Sequence, residues 1–268
     1  MEKRRKTYEE LRFTDDFMFC NILVDNLDLC KELLELILDI KIKNIKLAQE
    51  QKTIQSTYEG KGVRLDVFVE DDGDTVYDIE MQTVTRKDLP KRTRYYQGML
   101  DSKLINRGEE YTKLKKSYII FICMDVFFDG NLPIYTFENI CTQDKSIKLN
   151  DEAVKVIINA SGDRQNISSK MCAFLDYIKD SVVNDDFTSR LEDKVKESKS
   201  IEEWRDTYMT LEMKIMEERA EAREEGKAES LKNVIRNMLN RGMTKEEIMS
   251  ICGVEMEMIE ELCQSEKK

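Results

Sequence analysis

Two stretches with helical periodicity open the chain. Phe17, Phe19, Ile22 and Leu23 give one apolar face, and Thr14 stands as N-cap ahead of the first-turn acids Asp15 and Asp16. Leu33, Leu34, Leu36, Ile37 and Leu38 form the stripe of a second helix. From Asn44 the period drops to two: Ile45 to Leu47 opens a strand, and Thr53 to Tyr58 continues the alternation. Between Gly62 and Gln82, Val63, Leu65, Val67 and Val69 alternate with Arg64, Asp66, Phe68 and Glu70. Tyr77, Ile79 and Met81 then alternate with Asp78, Glu80 and Gln82. Each run is a strand with one apolar face, and Asp71-Asp72-Gly73-Asp74 between them is a turn signal, so the pair predicts a β-hairpin.

A helical run from Lys91 to Asn106 follows Pro90 and stops at Arg107-Gly108 in a C-cap arrangement. Ser117 to Met124 is nearly all apolar, as in a central strand covered on both faces. Ile134–Phe137 and Val154–Ile158 read as further strands, and Ser169–Lys179 as a helix. This succession predicts a mixed α/β sandwich, with a domain over 1–187, a charged helical stem over 188–229 and a small helical unit over 230–268. In the stem, Ile201, Trp204, Tyr208, Leu211 and Ile215 recur at spacings of three and four, a short coiled-coil-like seam. In the terminal unit Leu231–Leu239 reads as helix, Thr244 with Glu247 forms a capping box, and Gly253 ends that helix.

With 41 % hydrophobic and 36 % charged residues, the chain is too apolar for disorder and too polar for a membrane protein. No signal core follows the N-terminus, which implies a cytoplasmic protein. There is no histidine, which excludes Ser-His and Cys-His nucleophiles, His-ligated zinc and an imidazole base. The seven cysteines are scattered without a Cys-x-x-Cys pair and read as reduced thiols. Chemistry is left to carboxylates, amides, Lys, Arg, Tyr or a metal ion. The net charge of -11 argues against nucleic acid, since phosphate binding runs on Lys and Arg. Basic clusters at Lys3–Lys6, Arg86–Arg94 and Lys113–Lys116 nevertheless allow a local basic face.

The hairpin holds the candidate chemistry. Strand period two puts Glu80 and Gln82 side by side. A three-residue loop Asp71-Asp72-Gly73, with Gly73 left-handed, opposes Asp66 to Asp78 and leaves Glu80 diagonally adjacent; a two-residue turn would put Asp66 on the wrong face. Converging carboxylates call for a cation, and oxygen ligands without histidine point to Mg²⁺ or Mn²⁺. The plainer alternative is a solvated acidic hairpin face.

The order Asp66, hairpin, Glu80-Met81-Gln82 resembles the Asp…Glu-x-Lys core of the PD-(D/E)xK nuclease superfamily, and more closely the Rpn recombination-promoting nucleases, also described as PD-(D/E)xK family transposases. The matching blocks are Thr14–Phe19, Val63–Val67, Asp78–Gln82, Arg92–Tyr96 and Gly108–Tyr111, in order. The resemblance implies a restriction-endonuclease-like core, a mixed sheet flanked by helices, followed by the helical stem and unit. It also implies a metal-dependent DNA endonuclease serving recombination or mobile-element processing. By the same resemblance Asp66, Glu80 and the Met81 carbonyl are the metal ligands, for Mg²⁺ or Mn²⁺. Gln82 takes the superfamily lysine position, Asp16 on the first helix assists, and Arg92 and Tyr96 face the site one helical turn apart.

Two departures stand out. Leu65 replaces the proline of the superfamily name, with little chemical consequence, and Gln82 replaces lysine. Glutamine can orient a water through its carbonyl but brings no positive charge, which leaves Arg92 or Lys91 to supply it. Cys20 stands where relatives tend to have lysine, which weakens any phosphate contact from that helix. The alternative function is a catalytically silent DNA- or protein-binding relative. The C-terminal unit has a helix-turn-helix outline, yet its last helix carries Glu255, Glu257, Glu260 and Glu261, which phosphates would repel. The expectation there is a homo-oligomer formed through the C-terminal helices.

Overall fold

The computed structural model describes residues 6–54, 63–126 and 128–265. Its strands are β1 (Ile45–Ile54), β2 (Val63–Asp71), β3 (Val76–Gln82), β4 (Ser117–Cys123), β5 (Ile134–Phe137) and β6 (Ala153–Asn159). They form one mixed sheet in the order β1-β2-β3-β4-β6-β5. β1, β2 and β3 make an antiparallel meander, β3, β4 and β6 run parallel, and β5 closes the far edge antiparallel to β6. All seven residues of β4 are buried, as its unbroken apolar run requires of a strand covered on both faces. The expected alternation over Thr53–Tyr58 lies mostly outside the described residues; β1 itself runs continuously to Ile54.

The described residues also form eight α-helices, five of them wholly within the unit that holds the sheet. α1 (Asp16–Asp25) buries Phe17, Met18, Phe19, Cys20, Ile22 and Leu23, so it is apolar nearly all round. Its N-cap is Asp15 rather than the expected Thr14: Thr14 is buried, and the Asp15 carboxylate accepts the Arg12 amide at 2.7 Å. α2 (Leu27–Leu38) buries Leu33, Leu34 and Ile37 of the expected stripe, with Leu36 and Leu38 half-buried.

α3 (Leu89–Leu104) is the crossover between the parallel pair β3 and β4. It starts two residues earlier than the periodicity suggested, because a first-turn proline needs no amide partner and Pro90 fits inside the helix. It also ends earlier, at an extended Ile105; Gly108, with φ of 90°, serves the next turn instead of capping the helix. Leu89, Met99 and Leu100 of α3 pack on Phe68, Ile119, Phe121 and Ile157 of the sheet. Gln97 donates to Ser117 Oγ at 2.7 Å and fixes the helix over the start of β4.

α1 and α2 lie against β1 and β2 and pack with α4 (Ser169–Asp180) and α5 (Asp186–Lys199). Tyr8 donates from its hydroxyl to the Ser198 carbonyl at 2.8 Å, and Phe187, Leu191 and Val195 of α5 are buried. Residues 188–199, expected in the stem, are thus built into the first body.

The chain divides into one unit over Met1–Trp204 and another over Arg205–Lys268. Within the first, Trp204 meets Phe17 edge-on at 6.2 Å, so the predicted seam begins as a core contact. α6 (Glu202–Asn240) is unbroken where a separate helix was expected from Leu231. With α7 (Lys245–Cys252) and α8 (Met256–Ser265) it encloses a small core of Ile235, Ile248, Ile259 and Leu262. The Thr244–Glu247 capping box and the left-handed Gly253 are present as the sequence indicates. No helix among the described residues is long and apolar enough to cross a membrane.

Candidate active site

The hairpin loop decides which acids meet. Asp71 accepts the amides of Gly73 and Thr75, at 2.8 and 2.9 Å, and the Tyr77 hydroxyl at 2.8 Å. These bonds begin the loop at Asp72, so its residues are Asp72, Gly73 and Asp74, and the left-handed one is Asp74 with φ of 61°. Asp tolerates that conformation, and the expected left-handed Gly73 is not used. Sliding a three-residue loop by one position moves every cross-strand partner by two. Phe68 therefore faces Asp78 and Val67 faces Ile79, where the expected register paired Asp66 with Asp78. Continued by one residue, this register sets Asp66 directly opposite Glu80. The parity the sequence required is kept, and the two acids are closer than a diagonal pair.

Side chains take over from the ladder at this point. Asp66 donates its amide to Glu80 Oε1 at 2.8 Å, and Met81 donates its amide to Asp66 Oδ2 at 3.0 Å. Each carboxylate is anchored on the opposite strand's backbone. Because the amide and carbonyl of one strand residue point to the same edge, the Met81 carbonyl shares the side of Asp66.

The third acid comes from α1. Asp16 and Cys20, one helical turn apart, present their ligand atoms together with Asp66 so that all lie within 4.8 Å of one another. Asp16 stands at the exposed rim with its carboxyl turned to Asp66. Cys20 is fully buried; its thiol is pushed far upward by burial, then by Asp66 and Asp16, and stays protonated.

The acids shift one another. Burial pushes the Asp66 carboxyl up to about 8, Glu80 and Asp16 add to it, and the Met81 amide and Arg64 oppose it. Glu80 is raised by burial and by Asp78, against the Asp66 amide and Arg92. Asp78, fully buried one alternation before Glu80, is also raised by burial first; its carboxyl abuts that of Glu80 and has no donor within hydrogen-bond geometry among the described residues.

Arg92, on the first turns of α3, brings the positive charge. It donates from Nη1 to Gln82 Oε1 at 2.5 Å and from Nη2 to Tyr96 Oη at 3.0 Å, and Nη2 lies 3.9 Å from Glu80 Oε2. Its guanidinium rests over the rings of Tyr96 and Phe121, at 5.4 and 5.3 Å. Gln82 Nε2 donates to the Val84 carbonyl at 2.8 Å, so both ends of the Gln82 amide are engaged by protein. The Tyr96 phenol, pushed up to about 12 by burial and then Glu80, stays neutral.

Asp66, Glu80, Gln82, Arg92, Tyr96 and Asp16 therefore gather at one place, with Met81 joining through its main chain. Three neighbours escaped the sequence reading as site residues. Asp78 and Arg64 each sit two positions before a named acid on the same strand, so strand period alone could have found them. Cys20 joins through the packing of α1, which only the fold reveals.

The family described as "PD-(D/E)XK nuclease family transposase" matches the chain over residues 14–160, more than half its length, a span that holds every residue of this site. No curated protein and no solved structure matches the chain.

Proposed function

The chain belongs to the PD-(D/E)XK nuclease family transposases, and from that premise we propose that it is a Mg²⁺-dependent DNA endonuclease. The observation that carries this reading is the convergence of Asp66, Glu80 and Asp16, where burial and mutual repulsion hold the Asp66 carboxyl near 8. Raised acids held together on two strands and a helix are what a divalent cation relieves. The donors fit such an ion: carboxylate oxygens and a strand carbonyl, no imidazole, and a Cys20 thiol that stays protonated rather than competing.

Asp66, Glu80 and the Met81 carbonyl would hold Mg²⁺ or Mn²⁺, with Asp16 at the rim as a further oxygen donor. When bound, the ion activates a water and counters charge on the phosphoryl group. Arg92 supplies the positive charge that Gln82, at the superfamily lysine position, lacks, and Gln82 positions the guanidinium through the Oε1 contact. Tyr96, neutral and bonded to Arg92, steadies that arrangement and is not a nucleophile.

The test is nicking of supercoiled plasmid. Wild type should cleave with Mg²⁺ or Mn²⁺ and stop with EDTA, and Glu80→Gln should be inactive with both ions. Bound DNA left uncut by wild type under every ion would select the silent relative instead.

The second unit supports self-association as its own role. Met209, Met213 and Met216 are each about half exposed on α6, at coiled-coil spacing, on a helix flanked by charge. Sedimentation should find the full chain oligomeric and the chain ending at Trp204 monomeric. The same oligomeric state for both would refute this role.

A further inference from the structure

A cavity of about 750 Å³ lies beside the carboxylates along the first half of α3. Arg64 from β2 and Arg86, Lys91 and Arg94 line it, with Tyr95 and Tyr96 between them. Arg92 is also on its wall, so the cavity opens onto the guanidinium that reaches Glu80. Five cations thus meet one acid, Asp88, on a chain whose formal charge is -11. The field here is opposite in sign to the rest of the protein and is aimed next to the candidate site.

Cations alone would suit the outside of any duplex. The tyrosines add something a duplex cannot use. Tyr95 keeps 40 % of its surface exposed amid Arg86, Lys91 and Arg94. Gly98, one turn further on, adds no side chain to the lining, and a Cβ built there meets nothing within 4 Å. An aromatic ring among phosphate-binding side chains stacks on a base, and a base offers its face only when it has left the helical stack. The volume is in the range that encloses a ligand of nucleotide size.

Building on the nuclease reading, we propose that this groove holds an unpaired nucleotide of the substrate strand, with its base on Tyr95 and its phosphates on Arg86, Lys91 and Arg94. The preferred substrate is then DNA that is locally single-stranded next to the bond to be cut: an overhang, a gap or a flap.

Binding in EDTA, where no cleavage intervenes, separates this from the catalytic reading. Fluorescence anisotropy of the full chain with a labelled single strand and with the same sequence as a blunt duplex should show tighter binding to the single strand. Tyr95→Ala should weaken single-strand binding about tenfold and leave duplex binding unchanged, while Tyr95→Phe keeps the preference. Arg94→Ala should weaken both and lower the salt slope on the single strand by about 0.7. Equal binding of both forms by wild type, or equal effects of Tyr95→Ala on both, overturns the proposal. If the Tyr95-dependent preference holds but no ion supports cleavage, the groove stands and the nuclease reading falls. Duplex cleavage indifferent to Tyr95→Ala, with no single-strand preference, gives the reverse.

Discussion

Asp66→Asn is expected to abolish metal-dependent cleavage and, in the same protein, to raise thermal stability at pH 8. The first effect follows from removing a ligand charge: metal stabilisation of a phosphoryl transition state is worth several kcal/mol, which corresponds to a loss on the order of a thousandfold. The second follows from the position of the group. Its folded pKa, about 8, lies above the unfolded carboxylate value near 3.9. A group raised in this way contributes stability that is fully present below pH ~4 and is lost as pH rises through about 8. Metal-free wild type should therefore lose stability across that window.

The asparagine variant carries no such charge and can still accept the Met81 amide through its side-chain oxygen. Thermal melts in EDTA should coincide at pH 4 and separate by about 5 °C or more at pH 8, with the variant higher. Saturating Mg²⁺ should then lift wild type and leave the variant where it was. Equal melting points at pH 8, or a gap of the same size at both pH values, would show that the carboxyl is not held in a repulsive cluster.

Both halves of that result depend on Asp66 and Glu80 sharing one side of the hairpin, and this much was legible from strand period together with a three-residue loop. The period fixes which residues share a face, and turn length fixes only parity. The choice between a diagonal and a direct partner lay with Asp71, whose carboxylate gathers two loop amides and the Tyr77 hydroxyl. A contact across the hairpin has no periodic signature, so a loop beginning at Asp71 and one beginning at Asp72 look alike in sequence. The limits of α3 were obscured in a similar way, because Pro90 reads as a stop signal and serves as a start.

The charged run after Glu217 invited a break in α6 that polar composition does not impose. In the site, Arg92 was marked as a source of charge, and the partners of Gln82 were not visible. A side-chain amide has two ends, and only the packed structure tells that one meets Arg92 and the other the Val84 carbonyl.

Those two contacts give the second large expectation, on the interplay of Arg92 and Gln82. If Gln82 acts by holding the guanidinium, its effect should vanish once Arg92 is gone. Arg92→Ala should lower single-turnover nicking by about 10²–10³-fold, as losing a charged transition-state donor does, with DNA binding in EDTA changed far less. Gln82→Ala should cost about tenfold, since Tyr96 and the faces of Tyr96 and Phe121 still hold the side chain in part. The double variant should match Arg92→Ala alone, a coupling that independent roles would not produce. A glutamine aligning the attacking water by itself would instead give losses that multiply.

Moving the charge back supplies the counter-test. Gln82→Lys in the Arg92→Ala background should recover at least about tenfold of the lost rate, because a cation again stands at the superfamily lysine position. In an otherwise wild-type chain the same change should bring no gain, since it sets an ammonium against the Arg92 guanidinium. Failure of the lysine to rescue Arg92→Ala, in a variant that still melts cooperatively and still binds DNA, would mean that the positive charge of Arg92 is not what replaces the missing lysine.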